Sequence, residues 1–319
     1  MILITLIVPM YNEAKNIKQC TTILKNQLNQ NFKVVFIDDG STDNTISILQ
    51  DELKNDINFT YKIVQQSNQG AAGARKSGIH HSTTEYIMFY DCDDLLSNNM
   101  VQEFYKTYSK NQDADIIMPK MSIQIQDGSW KDFEFYSTDA FLKPLDCVKN
   151  SLSDWRVHGC FSIKKDIILK SYNDYKKYNP KNENFINNDE VVTRLNFLNS
   201  QKIVRSNGIY YYCYNENSTT KKINPIAYLQ INNALIMDKI FSNLPDLYYV
   251  TKLELLNTIW DKFRFKQIYK DKLKNLSDWD ALLKYSINEL DYFKLLQVLP
   301  IKDKVKLSIL KAKYLSSNK

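Results

Sequence analysis

The chain has 319 residues, five cysteines, three histidines and a formal net charge of +6, with 44% hydrophobic and 24% charged residues. These proportions are ordinary for a globular protein and exclude collagen-like, disordered and disulfide-scaffold classes. No run approaches the roughly 18 apolar residues of a membrane span, and the start of the chain has neither a basic leader nor a small-residue cleavage site, so the expected location is cytoplasmic.

Residues 2–8 read as a buried strand ended at Pro9, and Asn12 can cap a helix in which Ile17, Cys20, Leu24 and Leu28 recur at helical spacing. Residues 34–37 give a second strand. After Gly40, Ser41 or Thr42 can cap a helix with Ile46, Leu49 and Leu53 on one face. Residues 61–64 read as a third strand, 71–79 as a short helix, 86–90 as a fourth strand and 114–118 as a fifth. This alternation predicts βαβ units and a mostly parallel, doubly wound sheet, with ligands at the carboxyl ends of its strands.

Past residue 120, residues 121–126 and 130–136 alternate around Asp127-Gly128, a hairpin signal. Residues 189–198 read as a helix, 202–205 and 208–214 as strands, and the chain from about 225 as helical. The expected division is an α/β domain over 1–220 and a helical region over 221–319. Residues 1–215 carry 24 basic and 25 acidic residues, whereas 216–319 carry 18 and 11. The basic excess therefore belongs to the last third, where an anionic membrane surface is the expected partner, and no nucleic acid is expected as a partner of the chain.

Cys20, Cys92, Cys147, Cys160 and Cys213 form no C-x-x-C pair, which argues against zinc and disulfides and for reduced packing residues. The polar segments leaving the strand ends are more informative. Asp91-Cys92-Asp93-Asp94 follows the apolar 86–90 strand, and three carboxylates so close repel unless a cation neutralises them. A divalent metal explains them economically; a solvated turn capping a helix is the plain alternative. In Asp38-Asp39-Gly40-Ser41-Thr42-Asp43, Gly40 permits a tight turn and one aspartate can accept a ligand N–H. The 68–78 segment places Gly70 and Gly73 at a helix start, with Arg75 facing a base or a phosphate. It is neither a Walker A loop nor a dinucleotide fingerprint.

In this order and at these spacings, the segments resemble family 2 glycosyltransferases of the GT-A fold. The matched residues are Pro9, Tyr11, Asn12 and Glu13; Asp38 to Asp43; Asn68, Gly70, Ala74, Arg75 and Gly78; and Asp91, Asp93 and Asp94. The resemblance covers roughly residues 3–215 and implies a Rossmann-like, mostly parallel twisted sheet flanked by helices, with a C-terminal helical extension. It makes residues 1–220 the catalytic domain. Pro9, Tyr11 and Glu13 take the place of the loop that cups the nucleotide base, with Asp39 as acceptor for a uracil N3–H and Arg75 near base and phosphates. Asp91 matches the residue holding the donor's ribose or sugar, and Asp93 the carboxylate that ligates Mn2+ or Mg2+ on the diphosphate, with Asp91 as second metal candidate.

The family's catalytic aspartate stands in a Glu-Asp pair opening a helix. Here the stretch reads Asn188-Asp189-Glu190, which leaves Asp189 as the general base and Glu190 as an adjacent acceptor-side candidate. Trp155 and His158 also fall on the acceptor side of the resemblance, although a core Trp and a hydrogen-bonded His read as naturally. Lys221 or Lys222 can reach a diphosphate or be solvated.

The implied activity is metal-dependent, inverting transfer of a hexosyl or N-acetylhexosaminyl group from a UDP-sugar to a glycan or lipid-linked glycan, as in bacterial capsule or lipopolysaccharide synthesis. The rivals are a catalytically silent sugar-binding or assembly subunit and a sugar nucleotidyltransferase. From Pro300 on there are six lysines and one acid, with Ile301, Val305, Ile309 and Leu310 available for an apolar face. That tail suits either the inner leaflet of the membrane, giving a peripheral location, or packing against the protein with a solvated lysine face.

Overall fold

The computed structural model describes residues 1–215 and 223–315. Lys221 and Lys222 lie outside the described residues. Two units emerge: one of Met1–Val148, Arg156–Asp174 and Val192–Asn215, the other of Lys149–Trp155, Tyr175–Val191 and Glu216–Lys319.

The first unit is built on β1 (Ile4–Met10), α1 (Ile17–Lys25), β2 (Lys33–Asp38), α2 (Thr45–Glu52), β3 (Thr60–Gln65), α3 (Gly70–His81), β4 (Tyr86–Phe89), β5 (Leu95–Leu96) and α4 (Met100–Lys110). It continues through β6 (Ile116–Gln124), β7 (Trp130–Asp132), β8 (Phe141–Leu142), α5 (Pro144–Ser153), β9 (Ser162–Lys164), α6 (Lys165–Tyr178), α7 (Asn188–Asn199) and β10 (Ile203–Tyr212). Of these helices, residues 149–153 of α5, 175–178 of α6 and 188–191 of α7 belong to the second unit.

Among the described residues the strands form one sheet in the order β3-β2-β1-β4-β9-β6-β10-β5, with β7 beside β6 and β8 beside β10. The long pairings β2–β3, β1–β2, β1–β4 and β6–β10 are parallel, and the antiparallel additions are the short strands β5, β7, β8 and β9. The near-continuous apolar run of β1 follows from its place, since a central parallel strand is covered on both faces. Edge strand β3 is mostly exposed and correspondingly polar. Gly78 lets α3 approach β1 closely: a Cβ there would lie 2.2 Å from Cγ2 of Ile7.

Two pairs of expected strands are single elements. Residues 114–118 and 121–126 merge largely into β6, and 202–205 with 208–214 into β10, which shifts register between Arg205 and Ile209. Pro119-Lys120 and Asn207-Gly208 carry turn chemistry, but pairing along the sheet overrides it, and the second becomes an irregularity rather than a turn. Asn12 does not cap α1. It takes a left-handed φ of 56°, and the helix begins at Ile17.

The second unit holds α8 (Gln230–Phe241), α9 (Pro245–Tyr269), α10 (Leu276–Asn288), α11 (Tyr292–Val298) and α12 (Ile301–Leu315). Leu247, Leu255, Leu256 and Ile259 of α9 are buried, as are Ile231 and Phe241 of α8 and Leu283 and Ile287 of α10. Trp279 is fully buried, stacks on Phe265 and donates from Nε1 to the carbonyl of Pro225 at 3.0 Å. Among the described residues no helix is long and apolar enough to cross a membrane.

Candidate active site

Strand order fixes where a ligand can enter the first unit. From β1 the sheet grows through β2 to β3 on one side and to β4 on the other, so the loops after β1 and β4 diverge and leave a crevice at the carboxyl edge. The β1 loop carries Tyr11, Asn12 and Glu13, the β2 loop Asp39 to Asp43, and the β4 loop Asp91 to Asp94. The topology therefore brings three of the sequence-marked segments to one edge.

Hydrogen bonds stitch the first two loops together. The Asn12 amide donates to Oγ of Ser41 at 2.9 Å, and Asn12 Oδ1 accepts from the Thr42 amide at 2.8 Å. The Glu13 amide donates to Oγ1 of Thr45 at 2.8 Å, and the Ala14 amide to Asp43 at 3.2 Å. Asp43 also takes the Thr45 amide and hydroxyl. Loops built from Ser, Thr, Asn and Asp thus satisfy one another's backbone, which leaves the half-exposed ring of Tyr11 presented on an ordered loop.

Asp39 is buried, and its Oδ1 accepts from Nε2 of Gln66 at 2.7 Å and from the Gln69 amide at 2.9 Å. It thereby ties the β2 loop to the entrance of α3. Gly40, at φ 78°, sits so close to this entrance that a Cβ would meet the Asn68 amide nitrogen at 3.1 Å. Among the described residues none donates to Oδ2 of Asp39.

The acidic loop is organised from three directions. Nη2 of Arg75, on α3, reaches Asp91 Oδ1 at 3.1 Å and Oδ2 at 3.0 Å, while its guanidinium lies 5.8 Å from the centre of the Phe89 ring. Asp93 Oδ2 accepts from Nδ2 of Asn215 at 3.0 Å. Asp94 is buried: its Oδ2 takes the Tyr210 hydroxyl at 2.7 Å, and its Oδ1 the Cys213 amide at 2.8 Å. Burial pushes the Asp94 carboxyl up to about 7, against the pull of those two donors and with Asp91 and Asp93 adding repulsion. Glu13 is also raised, first by burial, with the charges of Asp93 and Asp91 acting in the same direction. Glu13, Asp91 and Asp93 therefore share one electrostatic neighbourhood, in which Arg75 is ion-paired to Asp91 and Lys15 opposes the charge of Glu13.

Tyr210, Cys213 and Asn215 were not marked for this role by the sequence. They stand more than a hundred residues from the acids they serve, and a Tyr-Tyr-Tyr run reads only as strand. Among the described residues no donor reaches Oδ1 of Asp93, and a carboxylate oxygen is the kind of ligand a hard divalent cation takes. Such ions are held by one or two carboxylates plus substrate phosphates rather than by a protein cage. Among the described residues no three or more His, Cys, Asp or Glu side chains are grouped to hold a metal.

His158 is buried in the first unit between Phe133 and Phe135, at ring distances of 5.4 and 5.8 Å, and its Nε2–H donates to the Pro119 carbonyl at 2.9 Å. Burial lowers it to about 4, so it is neutral there.

Asp189, Glu190 and Trp155 belong to the second unit. Asp189 and Glu190 open α7, and the preceding Asn188 organises its entrance: Oδ1 accepts from the Phe185 amide at 3.1 Å and from Nδ2 of Asn233 at 3.2 Å, while Nδ2 donates to the Glu183 carbonyl at 2.8 Å. Ile186 and Asn187 follow each other in the left-handed region, at φ 63° and 59°, rare for a β-branched residue and held here by Nδ2 of Asn233 bonding the Ile186 carbonyl at 2.8 Å. Within the same unit, a cavity of about 170 Å³ is lined by Glu190, Asn233, Glu254, Thr258, Asp261 and Lys262, among others. Burial lowers the Lys262 ammonium against the opposing charges of Asp261 and Glu190. Glu190 faces this polar cavity; Asp189 is not among its lining residues. Trp155 takes a left-handed φ of 50°.

The model of the family described as glycosyl transferase family 2 matches residues 5–171, more than half of the chain. The chain belongs to glycosyl transferase family 2. This glycosyltransferase is 27% identical over 215 residues to Glycosyltransferase GlyG of Streptococcus pneumoniae serotype 4, covering 66% of this chain and 70% of GlyG. Its fold matches the crystal structure of S. aureus TarS 1-349 in complex with UDP-GlcNAc at a TM-score of 0.66 and 20% identity, over 99% of this chain and 92% of that one. Mannosyltransferase PcManGT from Pyrobaculum calidifontis, in complex with GDP-Man and Mn2+, matches at a TM-score of 0.51 and 13% identity, over 99% and 88% of the two chains. These likenesses make the architecture that of a GT-A glycosyltransferase.

Proposed function

We propose that this glycosyltransferase moves a sugar from a UDP-sugar to a hydroxyl of a glycan or lipid-linked glycan, with inversion at the anomeric carbon. The observation that carries the reading is the convergence of Glu13, Arg75, Asp91 and Asp93 at the switch point of the sheet. Arg75 and the acids it balances suit a pyrophosphate bridged to the protein by a cation, and the free Oδ2 of Asp39 suits a uracil N3–H. Asp93 would hold Mn2+ or Mg2+, with Asp91 as the second oxygen source. The bound ion would offset negative charge on the departing diphosphate.

The remaining chemistry falls to side chains. Asp91, paired with Arg75, would accept a hydrogen bond from a donor hydroxyl. Asp189 acts as general base, taking the proton of the acceptor hydroxyl as its oxygen attacks the anomeric carbon. Glu190 and the polar cavity beside it are suited to acceptor hydroxyls. In this reading residues 1–220 form the catalytic domain and the basic helical region after 221 carries the location function. The proposed setting is the cytoplasm at an anionic membrane surface.

The test is UDP release from a panel of UDP-sugars with Mn2+, with and without saccharide acceptors, in wild-type protein and Asp93→Asn. The reading expects release from at least one donor, lost in the variant; release unchanged by Asp93→Asn would sink the assignment of that carboxylate.

A further inference from the structure

The outward face of α12 is apolar where a solvated helix would be polar. Ile301, Val305 and Ile309 are 81%, 53% and 43% exposed, and their i, i+4, i+8 spacing puts them on one stripe. The opposite face is already satisfied by packing: Leu307 and Leu310 are fully buried, Tyr314 is buried, and its hydroxyl donates to Asp280 at 2.9 Å. Leu310, expected on the free apolar face, is therefore a core residue, while its three companions remain in water. Val298 and Phe293 of α11, just before α12, are 51% and 78% exposed.

Charge defines what fits this surface. At the helical repeat, Lys302 and Lys313 flank the stripe on one side and Lys304 and Lys311 on the other. Asp303, the acid of α12, is turned inward, 1% exposed and ion-paired to Lys306 at 2.8 Å. An exposed apolar stripe bordered by lysines, with its acid hidden, complements a surface that is anionic outside and apolar beneath.

We propose that this face of α12, with Phe293 and Val298 beside it, seats the protein on an anionic phospholipid bilayer. Ile301, Val305 and Ile309 enter the headgroup boundary, and the bordering lysines contact lipid phosphates. The inference deepens the membrane-surface location given above and rests on no step of sugar transfer, so the two fail separately.

Flotation of the full chain with phosphatidylcholine vesicles, with and without phosphatidylglycerol, tests it. Truncation would strip buried Leu307 and Leu310 from the unit, so the variants are outward substitutions: I301D/V305D/I309D, and separately K302E/K304E. Wild type is expected to float with the phosphatidylglycerol vesicles and not with phosphatidylcholine alone, and each variant to lose binding about tenfold or more. Circular dichroism melting unchanged from wild type shows that both variants remain folded. Flotation of the triple variant equal to wild type, or no flotation of wild type, overturns the proposal. A wild-type dimer in sedimentation that the triple variant dissolves, without vesicle binding, assigns the face to a second copy of the chain instead and also overturns it.

Discussion

Arg75 and Asp91 form an ion pair in which one guanidinium nitrogen reaches both carboxylate oxygens, at 3.0 and 3.1 Å. The pair joins the first turns of α3 to the loop after β4, and it fixes one acid of the D-x-D segment before any ligand arrives. Asp93 is bonded to Asn215 through Oδ2, and no donor among the described residues reaches its Oδ1. Arg75→Ala should therefore release Asp91 toward Asp93 and Glu13, where like charges repel. Donor kcat/KM is expected to fall about ten- to a hundredfold, a loss of roughly 1.4–2.8 kcal/mol in transition-state binding. Steady-state UDP release at varied donor checks it.

Asp189→Asn should separate chemistry from binding. Loss of a general base typically costs about 10²–10⁴ in rate, so turnover should fall by that order while UDP affinity, measured calorimetrically, stays within about twofold. Glu190→Gln should instead raise the acceptor KM. If the two phenotypes exchange, Glu190 is the base.

His158 gives a pH prediction. Its folded value is about 4 against an ordinary 6.5, so between those values the unfolded chain binds more protons than the native one. Stability from this residue is complete above pH 6.5 and declines as pH falls toward 4, by roughly 3 kcal/mol over the window. Urea midpoints across that range should show a shallower slope in His158→Gln, which keeps a donor for the Pro119 carbonyl.

Gly78→Ala should be destabilising by about 1–3 kcal/mol, because the added methyl meets Ile7 Cγ2 at 2.2 Å inside a packed sheet-helix layer. A urea midpoint equal to wild type would mean that α3 can withdraw without cost.

The parallel part of the sheet was legible because β1, β2 and β4 write their burial directly as apolar runs, and because the acids and glycines that follow them carry turn chemistry. The short strands β5, β8 and β9 were not, since two or three residues leave no period to read. The same limit applied to the site. Asp39, Arg75, Asp91 and Asp93 lie in local motifs, whereas Tyr210, Cys213 and Asn215 reach Asp94 and Asp93 only through the pairing of β10 with β5 and β6. Asn188 illustrates the reverse case: it departs from the family's Glu-Asp pair, and the structural part it plays, with both ends of its side-chain amide bonded at the entrance of α7, has no signal in the local sequence. On the tail, lysine count and spacing suggested an amphipathic helix, but which of its apolar residues remain in solvent depended on packing.

The central claim is that the acids at the β1–β4 switch point hold a nucleotide diphosphate through a divalent cation. Calorimetric titration of UDP into the full chain, with Mn2+ and then with excess EDTA, tests it most directly. Micromolar-range binding that weakens at least about tenfold on chelation, and equally in Asp93→Asn with Mn2+ present, is the predicted result. Binding of UDP at the same affinity with EDTA, or in Asp93→Asn, would contradict it.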